Sequence, residues 1–291
     1  MPDLDETSIT SAVLARVQAA ANPRVRQVSE ALVRHLHAFI REVTPTEAEW
    51  EWGIRFLTEV GHMCTESRQE FILLSDTLGV SMLVDAINHR FPGGATQTTV
   101  LGPFYIPPPV FPNGADIRGN MRGSPMFVSG TVTGVGAEPL SGATVDVWHS
   151  DSEGLYDLQK RQQDSGVCGR GRLQTDRHGR FQFWTARPAA YPIPHDGPVG
   201  MMLEAQGRHP YRPEHIHFLI SAPGHRKLVT HIFAAGDVYL DSDVVFGVKD
   251  SLIHEYVRHS GKTAPDGRVV QGQWYSLHHD FRLAADGPAG G

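Results

Sequence analysis

The chain has 291 residues, enough for about two domains of ordinary size and for substantial cores without disulfide staples. Its 40% apolar and 20% charged residues are those of a soluble globular protein, and a net charge of -6 with a pI near 6.2 argues against nucleic acid or an anionic membrane as partner. Only Cys64 and Cys168 occur, no apolar run approaches the roughly 18 residues of a membrane span, and the acidic start Met1–Glu6 lacks the basic and apolar regions of a secretion signal, so a cytoplasmic protein is expected.

Taken in chain order, the first ninety residues read as helical. Val28, Leu32, Leu36, Phe39, Ile40 and Val43 recur at three- and four-residue steps, the mark of an amphipathic face. Thr44-Pro45-Thr46 breaks that helix, and Thr46 with Glu49 fits a capping box opening the next, which carries Trp50, Ile54, Leu57 and Val60. Ser67 and Glu70 can cap a third segment, Phe71 to Asn88. Its centre, Ile72-Leu73-Leu74 and Val80 to Val84, is apolar nearly all round and should be covered by more than one neighbour.

From Phe91 the character changes. Pro92-Gly93-Gly94, Pro103, Pro107-Pro108-Pro109 and Pro112 exclude helix and mark a long shaped connection. Short β-branched and aromatic runs then follow at Phe127–Val135, Thr144–Trp148, Phe181–Thr185, His215–Ile220, Val229–Phe233 and Tyr275–Leu283, separated by Gly, Pro and Asp. Phe246 to Tyr256 reads as one short inserted helix, and Ala284 to Gly291 as a disordered tail. The predicted fold is α+β, with an N-terminal helical domain over residues 1–98 and a β-sandwich over residues 99–291.

One strand carries the first chemical signal. In Arg212-Pro213-Glu214-His215-Ile216-His217-Phe218 the period of two puts His215 and His217 on the same face, one pleat apart. Two imidazoles so placed can share a metal ion, and they equally fit ordinary polar residues on a half-solvated strand. Tyr156 follows Asp151-Ser152-Glu153-Gly154-Leu155, and Tyr191 stands in Ala190-Tyr191-Pro192-Ile193-Pro194, where two prolines stiffen the chain. A lone loop tyrosine usually packs with a bonded hydroxyl. Two phenolates with two imidazoles, however, form a coherent shell for Fe(III), because phenolate is a hard anionic oxygen donor. The strand–turn–strand pattern from Gly130 to Phe181 also occurs in small β-sandwich modules without activity, so a non-catalytic binding module is the competing class.

Several motifs together carry a resemblance: Val147-Trp148-His149, Gly154-Leu155-Tyr156-Asp157, Tyr191-Pro192-Ile193-Pro194, Arg212 to Phe218, and Ser221-Ala222-Pro223-Gly224. On these the span from about Glu70 to Leu252 resembles the intradiol ring-cleavage dioxygenases, non-haem ferric enzymes that cut catechols between their two hydroxyls. The N-terminal helices extend the likeness to the branch with a helical linker. Leu74 to Ser81, Val100 to Phe104, Thr230-His231-Ile232-Phe233 and Val245 to Asp250 are most similar to the hydroxyquinol 1,2-dioxygenases. Those enzymes usually carry Phe where Leu101 and Leu155 stand, and catechol enzymes usually carry Gln where His231 stands.

The resemblance implies Tyr156, Tyr191, His215 and His217 as ligands of Fe(III), with Tyr191 the axial tyrosine that leaves on substrate binding. Arg212 is implied as the cation beside the reacting ring and His231 as an assistant near the oxygen site. It further implies a substrate pocket of Leu73, Asp76, Val100, Leu101, Gly102, Pro103, Phe104, Ile193, Pro194, Arg212 and Val245. The expected reaction is O2-dependent opening of benzene-1,2,4-triol to 3-hydroxy-cis,cis-muconate and maleylacetate in aromatic catabolism. Catechol or chlorocatechol cleavage is the alternative. A homodimer joined through the helical domain, with phospholipid at the interface, is also implied.

Other metal readings fit less well. A cupin would want a Glu about four residues after His217, where Ser221-Ala222 stand, and a structural zinc site would want several cysteines. Cys168 has no base near it in sequence and reads as a plain loop thiol. His149, His209 and His225 read as structural or surface residues.

Overall fold

A computed structural model of the chain describes residues 3–66, 68–91, 93–160 and 166–287. Two compact units are present, Met1–Glu59 and Val60–Gly291. In the first, α1 (Ile9–Val17) is followed by α2 (Pro23–Val43), which starts where the Asn22 side chain accepts the amide N–H groups of Arg24 and Val25 with Pro23 at the first helical position. Thr44 ends α2 in the left-handed region at φ 47°. The expected capping box opens α3 (Glu47–His62): the Thr46 amide donates to Glu49 at 2.8 Å and the Glu49 amide to Thr46 Oγ1 at 3.3 Å. Leu32, Leu36, Phe39, Trp50 and Trp52 remain exposed.

In the second unit the segment Phe71 to Asn88 is two helices, not one. Gly79, at φ 73°, separates α4 (Glu70–Thr77) from α5 (Val80–Asn88), a conformation only glycine adopts freely. The cap expected of Ser67 lies outside the described residues, as does Pro92. The all-round burial expected here is not found within the chain: Phe71, Ile72, Leu78, Val80, Leu83, Val84 and Ile87 are 47–61% exposed.

The α+β architecture expected from the sequence is the one observed, with the sandwich built from two five-stranded sheets and one short ribbon. The first sheet is centred on β1 (Pro125–Gly134), flanked by β4 (Arg180–Ala186) on one side and by β11 (Gln273–His278) and β12 (Phe281–Leu283) on the other, with β10 (Val257–Ser260) at the edge. The second runs β3 (Arg170–Gln174), β2 (Thr144–Trp148), β7 (His215–Ser221), β8 (Leu228–Ala234), β9 (Ile253–His254). Tyr191–Pro192 (β5) and Tyr211–Arg212 (β6) form the ribbon. Between the sheets, Val128, Val145, Val147, Phe181, Phe183, Ile216, Phe218, Ile220, Ile232 and Phe281 make the core.

Three further expectations are corrected. Tyr275–Leu283 is two strands, β11 ending at His278 and β12 starting at Phe281, with the His279 amide between them still donating to Ser129 O of β1. Phe246 to Tyr256 is not a helix: it holds a single 3-10 turn at Asp250–Leu252 and then β9, with Phe246 itself left-handed. Of the tail, Ala284 is buried and Ala285 bridges to His225; residues 288–291 lie outside the described range. The connection before β6 carries α6 (Pro198–Ala205), which periodicity over so few residues does not announce. No helix among the described residues is long and apolar enough to cross a membrane.

Candidate metal centre

Strand β7 is buried on both faces, so the half-solvated reading of its histidines does not hold. Ile216, Phe218 and Ile220 face the core, and His215 and His217 share the opposite face, as the period of two requires. Cross-strand register puts Trp148, His217 and His231 in one row over β2, β7 and β8. The indole of Trp148 stacks on His217 with ring centres 4.7 Å apart and planes 18° from parallel, and His231 meets it edge-on at 4.1 Å. Gly102, at φ 76°, lets the chain pass over His217; a Cβ there would stand 3.2 Å from Cε1.

Tyr156 arrives from the end of β2. The Asp151 carboxylate accepts the Glu153 and Leu155 amides, and Gly154 turns left-handed at φ 78°. That glycine also permits close approach, since a Cβ would lie 2.6 Å from Tyr191 Cβ. The next residue, Asp157, is held by the buried Arg170, whose Nη1 also donates to Phe104 O at 3.1 Å, and Phe104 stacks on Tyr156 with centres 4.4 Å apart. Tyr191 comes from the ribbon, where it lies directly opposite Arg212.

These elements bring four atoms together. Tyr156 Oη is 3.2 Å from Tyr191 Oη and 2.9 Å from His217 Nε2, which is 3.1 Å from His215 Nε2. His215 Nδ1 donates to Pro213 O at 2.6 Å, which leaves its Nε2 as a lone pair pointing into the cluster. Arg212 donates from Nη1 toward His215 Nε2 at 3.3 Å and from Nη2 toward His231 Nδ1 at 3.4 Å, with its charge balanced by Asp243.

Burial sets the protonation of all these groups. It pushes Tyr156 well above the usual phenol range, with Tyr191 adding to the effect. Tyr191 is also raised by burial, and the charge of Arg212 pulls it partly back. His215, His217 and His231 are each driven well below the usual imidazole range by burial; Arg212 adds to this for His215 and His231, and the neighbouring histidines for His217. Burial alone would lower the Arg212 guanidinium, but Asp243 holds it above its ordinary value.

The donor set fits a cation. Two imidazoles bring their Nε2 atoms within 3.1 Å of each other and one of them within 2.9 Å of Tyr156 Oη, which bonds Tyr191 Oη, and the buried Nδ1 of His217 has no hydrogen-bond partner. Two ligands each about 2 Å from one ion and roughly at right angles stand about 3 Å apart, the spacing seen here. His215, His217 and His231 also bring ligand atoms within 4.8 Å of one another, and Arg212 lies against both His215 Nε2 and His231 Nδ1.

Of the residues expected to line a pocket, Gly102 lies against His217 and Phe104 against Tyr156; the carbonyl of Val100 faces His231. Asp76 is buried with Leu73 on α4; burial raises its carboxyl, opposed by a bond from Ser81 and the charge of Arg212. Val245 directs its amide at Asp243, and Ile193 is buried and bonded to Pro210. Leu101 is 39% exposed, while Pro103 and Pro194 are placed only as chain neighbours of Phe104 and Ile193. His149 is structural: it is buried, with Nδ1 against Ser150 O and Nε2 against Thr185 Oγ1. Asp157 enters the sequence reading only as part of the motif Gly154–Asp157, and nothing in the sequence distinguishes Arg170 and Asp243 from surface charges.

The family model described as "Dioxygenase" matches residues 102–284, and that described as "Catechol dioxygenase N terminus" matches residues 22–96. The chain belongs to the intradiol ring-cleavage dioxygenases and is an enzyme of that class. It is 49% identical to the hydroxyquinol 1,2-dioxygenase of Nocardioides simplex, over 96% of this chain and 95% of that one. It is 51% identical to the 6-chlorohydroxyquinol 1,2-dioxygenase of Cupriavidus pinatubonensis, over 97% and 99%. The crystal structure of hydroxyquinol 1,2-dioxygenase from Pseudomonas putida DLL-E4 superposes with a TM-score of 0.90 at 47% identity, covering 97% and 99%.

The Arg170–Asp157 pair is 1% and 4% exposed, so removing one partner strands the other in the interior. Asp157→Ala is expected to lower unfolding stability by about 3–5 kcal/mol in denaturant titration. Adding Arg170→Met to that variant should recover most of the loss; an additive further loss would contradict the assignment.

Proposed function

We propose that this chain opens the ring of benzene-1,2,4-triol (hydroxyquinol) with O2, at a ferric ion held by Tyr156, Tyr191, His215 and His217. The observation that carries the reading is the convergence of those four donor atoms at 2.9–3.2 Å in a buried cluster. The hydroxyquinol and chlorohydroxyquinol enzymes named above, alike over nearly the whole chain, support the choice of substrate. When bound, such an ion supplies Lewis acidity and one-electron chemistry, lowering the pKa of a substrate hydroxyl and drawing density from an electron-rich ring. The C–C bond between the two adjacent hydroxyl carbons breaks and both atoms of O2 enter the product. The resulting 3-hydroxymuconate tautomerises to maleylacetate, and no reductant is consumed.

The chain's own groups divide the remaining work. A diol binding through both oxygens must lose two protons, and Tyr191 Oη, as a phenolate, is placed to carry one away. Arg212, opposite Tyr191 in the ribbon, offers a fixed positive charge to the negative charge that develops on the ring. His231, bonded to Arg212, assists beside it. Asp76, already bonded by Ser81, provides a further acceptor for the third hydroxyl, a hydrogen bond that a diol cannot make, and Leu73, Val100, Ile193 and Val245 supply apolar walls to the substrate pocket.

The exposed apolar faces of α2 and α3 are read as the surface on which a second copy docks, with a phospholipid chain filling the seam. Both cysteines are free thiols, which suits a reducing cytoplasm.

Oxygen uptake with the triol should exceed that with catechol or 4-chlorocatechol, and Tyr191→Phe should cut it by at least about 100-fold. Faster turnover of catechol or a chlorocatechol would select the alternative substrate instead. In analytical ultracentrifugation the chain is expected at twice its monomer mass, and Leu32→Asp with Phe39→Asp at the monomer mass. A wild-type monomer would remove the dimer.

A further inference from the structure

Among the described residues Arg212 is the one cation in the cluster, and a guanidinium stabilises developing charge only if its plane is fixed. We propose that Asp243 is the positioning residue for Arg212, and that the turn of residues 243–247 is built to hold its carboxylate. The inference rests on the proposed role of Arg212 beside the ring.

The geometry is that of a fork. Arg212 Nε donates to Asp243 Oδ1 at 3.0 Å and Nη2 to Oδ2 at 3.1 Å, with both side chains nearly free of solvent. Two parallel bonds fix the guanidinium plane, and the N–H groups left over then point where the structure finds them, Nη1 at His215 Nε2 and Nη2 at His231 Nδ1. With a single bond the plane would be free to rotate, and a desolvated cation would seek another acceptor.

Asp243 is itself held. Its Oδ2 accepts the Gly247 amide at 3.0 Å and its Oδ1 the Val245 amide at 3.4 Å, while its carbonyl takes the Phe246 amide at 2.9 Å. Folding the chain back in this way requires Phe246 at φ 58°, a left-handed conformation that a bulky residue rarely adopts. The strain is retained because it returns the Gly247 amide to the carboxylate. Gly247 has no alternative: a Cβ there would stand 2.9 Å from Arg212 Nη2 and 3.1 Å from Asp243 Oδ2. Arg208 anchors the turn from outside, donating to Val244 O at 3.1 Å and to Thr77 O at 2.8 Å, with its guanidinium over the Phe246 ring.

The experiment is a double-mutant cycle on iron-loaded enzyme with Asp243→Asn, Arg212→Gln and both together, reading kcat, KM, iron content and the visible absorption of ferric tyrosinate. Asp243→Asn should lower kcat about 10- to 100-fold, the cost of a misplaced catalytic group, with KM, iron and colour nearly unchanged. The double variant should be no slower than Arg212→Gln alone. Gly247→Ala, which crowds Nη2 without removing any charge, should lower kcat in the wild type and have no effect beside Arg212→Gln. The inference is overturned if Asp243→Asn and Gly247→Ala both stay within twofold of wild type, or if their losses multiply with that of Arg212→Gln. Wild-type kcat in Arg212→Gln would instead remove the role of Arg212, and this inference with it.

Discussion

A guanidinium, three imidazoles and two phenols occupy one nearly dry region beside β7, and the cost of keeping them out of water governs the structure around them. Three of them have a specific neighbour. Asp243 balances Arg212, the Pro213 carbonyl takes the Nδ1 proton of His215, and Trp148 covers the face of His217. At the centre the two Nε2 atoms stand 3.1 Å apart, one of them 2.9 Å from Tyr156 Oη, beside two phenols that burial keeps protonated. That donor set suits a multivalent cation, whose ligation takes deprotonated oxygens and neutral imidazoles.

The scaffold delivers these groups from rigid pieces. Two histidines sit on a central strand of a sheet whose other face is packed against the core, so neither ring can move without disturbing Ile216 or Phe218. Tyr156 and Tyr191 come from opposite sides, one from a turn tied down by Asp151 and Asp157, the other from a two-residue ribbon stiffened by Pro192. Glycines at positions 102, 154 and 247 mark where the backbone passes close to the His217 ring, the Tyr191 Cβ and the Arg212 guanidinium. Arg170 grips Asp157, the residue after Tyr156, and Arg212 is itself gripped by Asp243.

Much of this was legible in the sequence because it is local. The period of two in His215-Ile216-His217 and the capping box at Thr46 and Glu49 each depend on neighbours within a few residues. The pairing of Tyr156 with Tyr191 was reached through the resemblance, since 35 residues of chain separate them and no periodicity links them. What could not be read is equally physical. Gly79 splits a helix whose apolar pattern runs straight through it. Phe246 to Tyr256 read as a short helix, yet Leu252 and Tyr256 are drawn into the sandwich core. Asp243 looks like one more acidic residue in Asp241-Ser242-Asp243 until the fold places Arg212 against it. Its meaning lies wholly in tertiary contact.

The central claim is that one ion sits among Tyr156, Tyr191, His215 and His217, and anomalous scattering at the iron edge from crystals of the purified enzyme tests it most directly. The account predicts a single strong peak per chain within bonding distance of both phenol oxygens and both Nε2 atoms. A peak held by His215, His217 and His231 with the tyrosines turned away, or no iron peak in an active enzyme, would contradict it.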